Sequence, residues 1–135
     1  MLNFVALSEA ASIALHSMVL IAKSEHRLNV IQIGEMIGSS KHHVAKVMQR
    51  LSKENLVSSN RGPSGGFVLK KHPQEIRLLD IYEAIEGKIN VQNCPGNKTE
   101  CPFDSCILGD LTTRLGGAFK DYLENKTLAD YLIKC

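Results

Sequence analysis

The segment CPGNKTECPFDSC brings Cys94, Cys101 and Cys106 close together in the spacing Cys-x6-Cys-x4-Cys. Three thiols on so short a stretch can converge on one centre without help from a larger scaffold. Thiolates are the preferred ligands of zinc, cuprous copper and iron–sulfur clusters. Pro95 and Pro102 each follow a cysteine and hold the chain out of helix, so the loop can wrap a ligand. Helical periodicity resumes near Ser105. That predicts a helix start at Cys106, where the helix dipole would favour the thiolate that binds metal. Two other readings fit the same residues. They could be three thiols in a surface loop, but free cysteines prefer burial and exposed ones oxidise. They could also be a disulfide framework. That suits a secreted chain, and the N-terminus lacks a basic n-region and a small-residue cleavage site. An odd number of clustered cysteines is better matched by a ligand shell completed from elsewhere in the molecule.

The chain that must position this loop has 135 residues, 44% hydrophobic and 22% charged, which is one domain's worth of ordinary globular composition. Trp is absent and aromatics are few, so the core is expected to be aliphatic. No apolar run is long enough to cross a bilayer. Four cysteines without a secretory signal point to a reducing cytoplasm. Charge is unevenly placed. Residues 1–72 carry nine Lys and Arg against four Asp and Glu, whereas residues 73–135 carry seven against ten. A basic first half beside an acidic second half suggests a nucleic-acid-facing part and a separate association or regulatory part.

Periodicity predicts a helix over 8–24, capped by Ser8, with Ala11, Ala14, Leu15, Met18, Val19, Ile21 and Ala22 on its apolar face and His16 packed at the edge of that face. A polar break at Lys23–Asn29 precedes a short helix over 30–38. A tight Gly-Ser turn then leads into a helix running to about Asn55. This second helix buries Val44, Val47, Met48 and Leu51. It presents Lys41, His42, His43, Lys46, Gln49, Arg50 and Lys53 on the other side. Two short helices joined in this way, the second opening with small polar and basic residues, form a helix-turn-helix pattern. A helix lying in the major groove needs a polar leading turn that can hydrogen-bond to base edges.

Residues 56–60 read as a strand, Arg61–Gly66 as a glycine-rich turn and residues 67–70 as the returning strand. A hairpin directly after a candidate recognition helix can touch phosphates or insert Arg61 into the minor groove. The turn does not match a nucleotide-binding loop, since it joins strand to strand and lacks a Gly-Lys-Ser/Thr ending. A helix over 78–86 follows, with Leu78, Ile81, Tyr82 and Ile85 closing the core. A last long helix is predicted from about Ser105 to Asn125. Its residues Leu108, Leu111, Leu115, Ala118 and Tyr122 recur in steps of three and four, a seam suited to a partner helix. Gly116 and Gly117 would permit close approach along it. A short helix over 127–133 ends the chain, and Cys135 is expected to fray and not to serve as a ligand.

The string LVSSNRGPSGGFVL, followed by LLDIYEAIEG, the three-cysteine loop and KTLADYL, closely resembles the bacterial winged helix-turn-helix repressor family that includes the iron–sulfur regulator IscR and the nitric-oxide sensor NsrR. The resemblance covers nearly the whole chain. It implies a fold that is mainly α with a small β-hairpin wing and a long C-terminal dimerisation helix. It implies a homodimer on double-stranded operator DNA, with no membrane and no organic small-molecule substrate. Residues 1–90 would form the DNA-binding domain, 91–107 the cluster loop, and 108–135 the dimerisation helix and tail. By position, Cys94, Cys101 and Cys106 match the cysteine ligands of an iron–sulfur cluster, 4Fe–4S or 2Fe–2S. Arg61 matches the wing arginine, and Ser40, Lys41, His42 and His43 match the leading end of the recognition helix. Lys46, Arg50 and Ser64 complete the expected DNA-facing set.

Two departures bear on the ligand set. The common family spacing is Cys-x5-Cys-x5-Cys. An acidic fourth ligand used by some relatives, supplied by the other subunit, falls here at Ser12, a poor ligand for iron. His16, one turn on, matches a histidine ligand in another relative, and Glu9 lies a turn earlier. The expected function is thus a regulator, in all expectation a repressor, whose cluster senses nitric oxide, redox state or iron supply. A metal-free disulfide switch and a structural zinc site stand as alternatives. Enzyme chemistry is not indicated. Cys101 and Cys106 have no histidine nearby in sequence, and no His-Glu-x-x-His string is present.

Overall fold

The computed structural model describes residues 7–62, 65–89 and 101–132. Helix α1 spans Glu9–Lys23 and α2 spans Val30–Ile37. Helix α3, Lys41–Lys53, leads to the strands β1 (Val57–Asn60) and β2 (Gly66–Leu69). Helices α4 (Leu78–Glu86) and α5 (Leu111–Glu124) follow, with short 3-10 turns at Pro73–Glu75 and Leu128–Tyr131. This is a mainly helical winged-helix fold with one antiparallel hairpin.

The elements start where their caps dictate. The Ser8 hydroxyl accepts from the Ala11 N–H at 3.1 Å and donates to the Glu86 carboxylate, pinning the start of α1 to the end of α4. Asn29 and Gln32 form a reciprocal capping box at 2.9 Å in each direction. Gly34 fits the turn into α3 because a Cβ there would lie 2.6 Å from the Ser39 carbonyl oxygen. The buried set joins Ala11, Ile13, Ala14, Met18 and Ile21 of α1 to Ile33, Val44, Met48, Leu51, Ile81 and Ile85. All four apolar residues expected on α4 are buried.

In the wing, Val57 pairs with Leu69 and Asn60 with Gly66. The linker between α1 and α2 adds a third rung. The Phe67 N–H donates to the Leu28 carbonyl at 2.8 Å, making Leu28 an isolated bridge partner of β2.

Three expectations are corrected. Helix α5 begins at Leu111 rather than near Ser105. Cys106 instead opens a turn in which its carbonyl accepts from the Gly109 N–H at 3.1 Å, and it lies beyond the last turn over which a helix dipole acts. The closing helix is a single 3-10 turn, its Asp130 N–H donating to the Thr127 carbonyl at 3.1 Å and its Leu132 N–H to the Ala129 carbonyl at 3.2 Å, while the Leu128 N–H ties it to the Ile76 carbonyl at 3.0 Å. His16 is exposed rather than packed at the core edge, since Ser17 and Met18 take the inward positions of that turn.

The start of α4 and the end of α5 meet around Arg77. Its guanidinium donates to Asp80 at 2.9 Å and stands 3.7 Å from Glu124, while the Leu78 N–H donates to the Lys126 carbonyl at 2.9 Å. Burial alone would push the Asp80 carboxyl up. Hydrogen bonds from the Arg77 side chain and N–H outweigh this and hold it below the usual carboxylate range. Asp80→Asn should therefore lower stability by about 1 kcal/mol at neutral pH, allowing for the partial exposure of the pair. Because the folded carboxyl is more acidic than the unfolded one, its contribution is complete above about pH 4 and fades as acid titrates it. Denaturation curves of wild type and variant should converge below that pH.

Candidate nucleic-acid interface and cysteine loop

Ser40 caps α3, its hydroxyl accepting from the His43 N–H at 3.2 Å. Beyond it Lys41, His42, Lys46, Gln49 and Arg50 are exposed, while Val44, Val47, Met48 and Leu51 seal the opposite face. The helix thus offers an open row of donors backed by a packed core, as a groove-reading helix requires. His43 is placed differently from its neighbours. It is half-buried, and its Nδ1 stands 3.7 Å from Glu9 Oε1, so the leading turn of α3 touches the first turn of α1. Sequence reasoning had no signal for this contact between residues so far apart in the chain.

Arg61 follows β1 directly and is exposed. Ser64 lies outside the described residues. Asn60, the last residue of β1, was not anticipated as a participant. The amide orientation that satisfies its surroundings puts the side-chain oxygen toward the linker between α1 and α2, where it accepts from the Arg27 guanidinium at 3.2 Å, and the nitrogen toward the Ser59 carbonyl at 3.2 Å. Arg61 and the Arg27 guanidinium therefore share the turn end of the hairpin.

Cys101 and Cys106 are both free and exposed in the segment leading to α5. Cys94 and Cys135 lie outside the described residues. His16 projects from α1, and its Nδ1 lies 2.7 Å from the Ser12 carbonyl oxygen. Since that oxygen can only accept, Nδ1 carries the proton and Nε2 keeps the lone pair that a metal would take. Among the described residues of one chain, no three His, Cys, Asp or Glu side chains are close enough to share a metal ion. A metal centre here would need Cys94 and a donor from outside the chain's own described set.

His16, Ser12 and Glu9 edge a mainly apolar groove of about 940 Å³ between α1, the end of α2 and α5. Leu15, Val19, Met36 and Phe119 supply much of its wall. At one end, burial and a hydrogen bond with Tyr122 push the Tyr131 phenol up to about 12. Helix α5 commits only one side to its own chain. Leu123 is 4% exposed and Phe119 meets Tyr82 edge-on with ring centroids 5.3 Å apart. On the other side Leu111 is 40% and Tyr122 56% exposed, Ala118 is exposed, and a Cβ at Gly117 would meet nothing within 4 Å. Of the seam read from the sequence, Leu111, Ala118 and Tyr122 stay exposed on α5, Leu115 is half-buried and Leu108 lies before the helix begins.

The sequence profile of the Rrf2 family, described as "Iron-dependent Transcriptional regulator", matches residues 7–134. The chain belongs to the Rrf2 family. A curated relative, the transcriptional regulator IscR of Pectobacterium atrosepticum, is 30% identical over 123 residues, which cover 91% of this chain and 71% of IscR. Among solved structures, CymR, the global cysteine regulator of B. subtilis, superposes with a TM-score of 0.79 at 28% identity. That match covers 98% of this chain and 97% of CymR. T. potens IscR gives 0.75 at 25% identity, with 95% and 86% covered. As an Rrf2-family member the chain is a DNA-binding transcriptional regulator and not an enzyme. No helix among the described residues is long and apolar enough to cross a membrane.

Ser40 has a capping role separable from any role on DNA. Ser40→Ala should cost the free protein about 1 kcal/mol and Ser40→Gly only a few tenths. Lys41→Ala, on the exposed face, should stay within about 0.5 kcal/mol. Thermal denaturation without DNA checks all three and shows which losses of DNA affinity are losses of contact.

Proposed function

We propose that this chain acts as a homodimeric repressor or dual regulator whose Cys94, Cys101 and Cys106 hold an iron–sulfur cluster, with the partner subunit's His16 as fourth ligand. The observation that carries the reading is the exposure of Cys101 and Cys106 in a chain whose family profile is that of iron-dependent regulators. His16 supports it, being exposed with Nδ1 turned to the Ser12 carbonyl, which leaves Nε2 as the nitrogen a metal could take. When bound, the cluster supplies chemistry that responds to nitric oxide, oxygen or iron supply. The rest belongs to the protein. The cysteine loop runs into α5 five residues after Cys106, so a constraint on the sulfur atoms bears on the helix that carries the seam. In a symmetric dimer the seam sets the distance between the two α3 helices, and operator half-sites demand a particular distance. Ser40, Lys41, His42, His43, Lys46, Arg50 and Arg61 then read and grip the duplex, together with Ser64, which lies outside the described residues.

The near-complete overlap with CymR, together with two free exposed thiols, favours one second reading: a metal-free thiol switch on the same scaffold. Anaerobic purification and reconstitution separate the two. Visible absorption with matching iron and sulfide, lost in Cys101→Ala and Cys106→Ala, is expected. Operator affinity of the reconstituted and metal-free forms should differ at matched salt. A colourless, iron-free protein after reconstitution, or equal affinity of both forms, overturns the cluster reading.

The seam carries its own test. Leu111→Asp together with Tyr122→Asp places charges on the exposed side of α5 without touching Leu123. The variant should sediment as a folded monomer and lose operator binding at concentrations where wild type is a dimer.

A further inference from the structure

The arginines of the described residues divide into two sets. Arg77 pairs with Asp80 and Glu124, and Arg114 pairs with Asp110 at 3.2 Å. Arg27, Arg50 and Arg61 have no carboxylate within ion-pair distance among the described residues. Arg50 and Arg61 lie on elements already expected to face DNA. Arg27 does not. It sits in the polar break between α1 and α2, which sequence patterning reads as a connector.

The fold brings that connector onto the wing. Leu28 hydrogen-bonds to Phe67 in an antiparallel bridge, so the linker runs along the edge of β2, with Leu28 packed over Gly66. Gly66 has φ of +149°, and a Cβ there would lie 2.7 Å from the Leu28 carbonyl. The bare backbone at this point lets the linker press against the hairpin. The Arg27 guanidinium can then reach Asn60, one residue before Arg61. The clasp uses one end of a planar group that carries five N–H donors.

We infer that Arg27 is a second wing arginine, contacting a backbone phosphate of the bound duplex beside the groove that Arg61 enters, while its clasp on Asn60 fixes the turn end of the hairpin. This rests on the DNA-binding reading above. A minor groove about 6 Å wide is walled by phosphates on both sides. A cation held beside the turn end of a hairpin inserted there lies against one of those walls. Guanidinium matches phosphate geometry through paired donors, and the contact releases a condensed counterion.

The test uses the full-length protein and a duplex selected by the native protein from random-sequence DNA. Binding is titrated over a range of salt for wild type, Arg27→Ala, Arg27→Lys, Asn60→Ala and Arg61→Ala, with thermal denaturation of each. Arg27→Ala should weaken binding about three- to tenfold and reduce the slope of log K against log salt by about one, as Arg61→Ala should. Arg27→Lys should keep the slope, because the charge is retained. Asn60→Ala should also keep the slope, because it breaks only the clasp. An Arg27→Ala variant with unchanged slope overturns the inference. If its affinity falls with that unchanged slope and Asn60→Ala matches the fall, Arg27 only braces the wing. Failure of the native protein to select any duplex would sink the DNA-binding reading itself, a result distinct from either.

Discussion

Burial of α1 is the constraint on which the other elements depend. Ala11, Ala14, Ser17 and Met18 have no exposed surface, and three of these four are small. Small side chains let neighbouring backbones approach closely, so α2, α3, α4 and β2 can all gather around one helix. Dense packing of this kind transmits displacement, because an interior without voids cannot absorb it locally. The Ser17 hydroxyl is buried without a hydrogen-bond partner among the described residues, a cost the packing must outweigh.

The same helix has a second, open side. Glu9 reaches His43 at the start of α3, while Ser12 and His16 edge the groove beside α5. One rigid element thus touches both the helix placed to read DNA and the region where a ligand from the cysteine loop would be met. His16 and the Glu9 contact to α3 thus sit on one helix. The junction of Arg77, Asp80 and Glu124 plays a matching part at the far end, tying α5 to α4 and hence to the winged core.

The wing depends on a less obvious support. A two-stranded hairpin is marginal by itself in water. Here the bridge from Leu28 to Phe67 and the clasp from Arg27 to Asn60 tie it to the linker that precedes α2. Residues that look like a connector in the sequence therefore brace the hairpin and bring a guanidinium to its turn end. This also explains why a glycine at position 66 matters away from the turn itself: the linker backbone occupies the space a side chain would need.

Local chemistry was enough to settle much of the molecule. Helices α1 to α4, both strands and the buried set of α3 follow from periodicity, caps and turn residues, all of which act over a few positions. The Cys-x6-Cys-x4-Cys spacing and the arginine after β1 were likewise visible as residue types at short range. The start of α5 and the exposure of His16 turned on local hydrogen bonding and helix phase that the residue pattern did not reveal, whereas the pairing of His43 with Glu9 and the reach of Arg27 to Asn60 were decided only in three dimensions. Helix α5 begins late because the turn from Cys106 to Gly109 satisfies its own hydrogen bonds, and His16 faces out because its neighbours fill the inward positions of α1. The other two are contacts between residues distant in the chain, and such contacts form only after the core has gathered around α1, where pattern within a window carries no information.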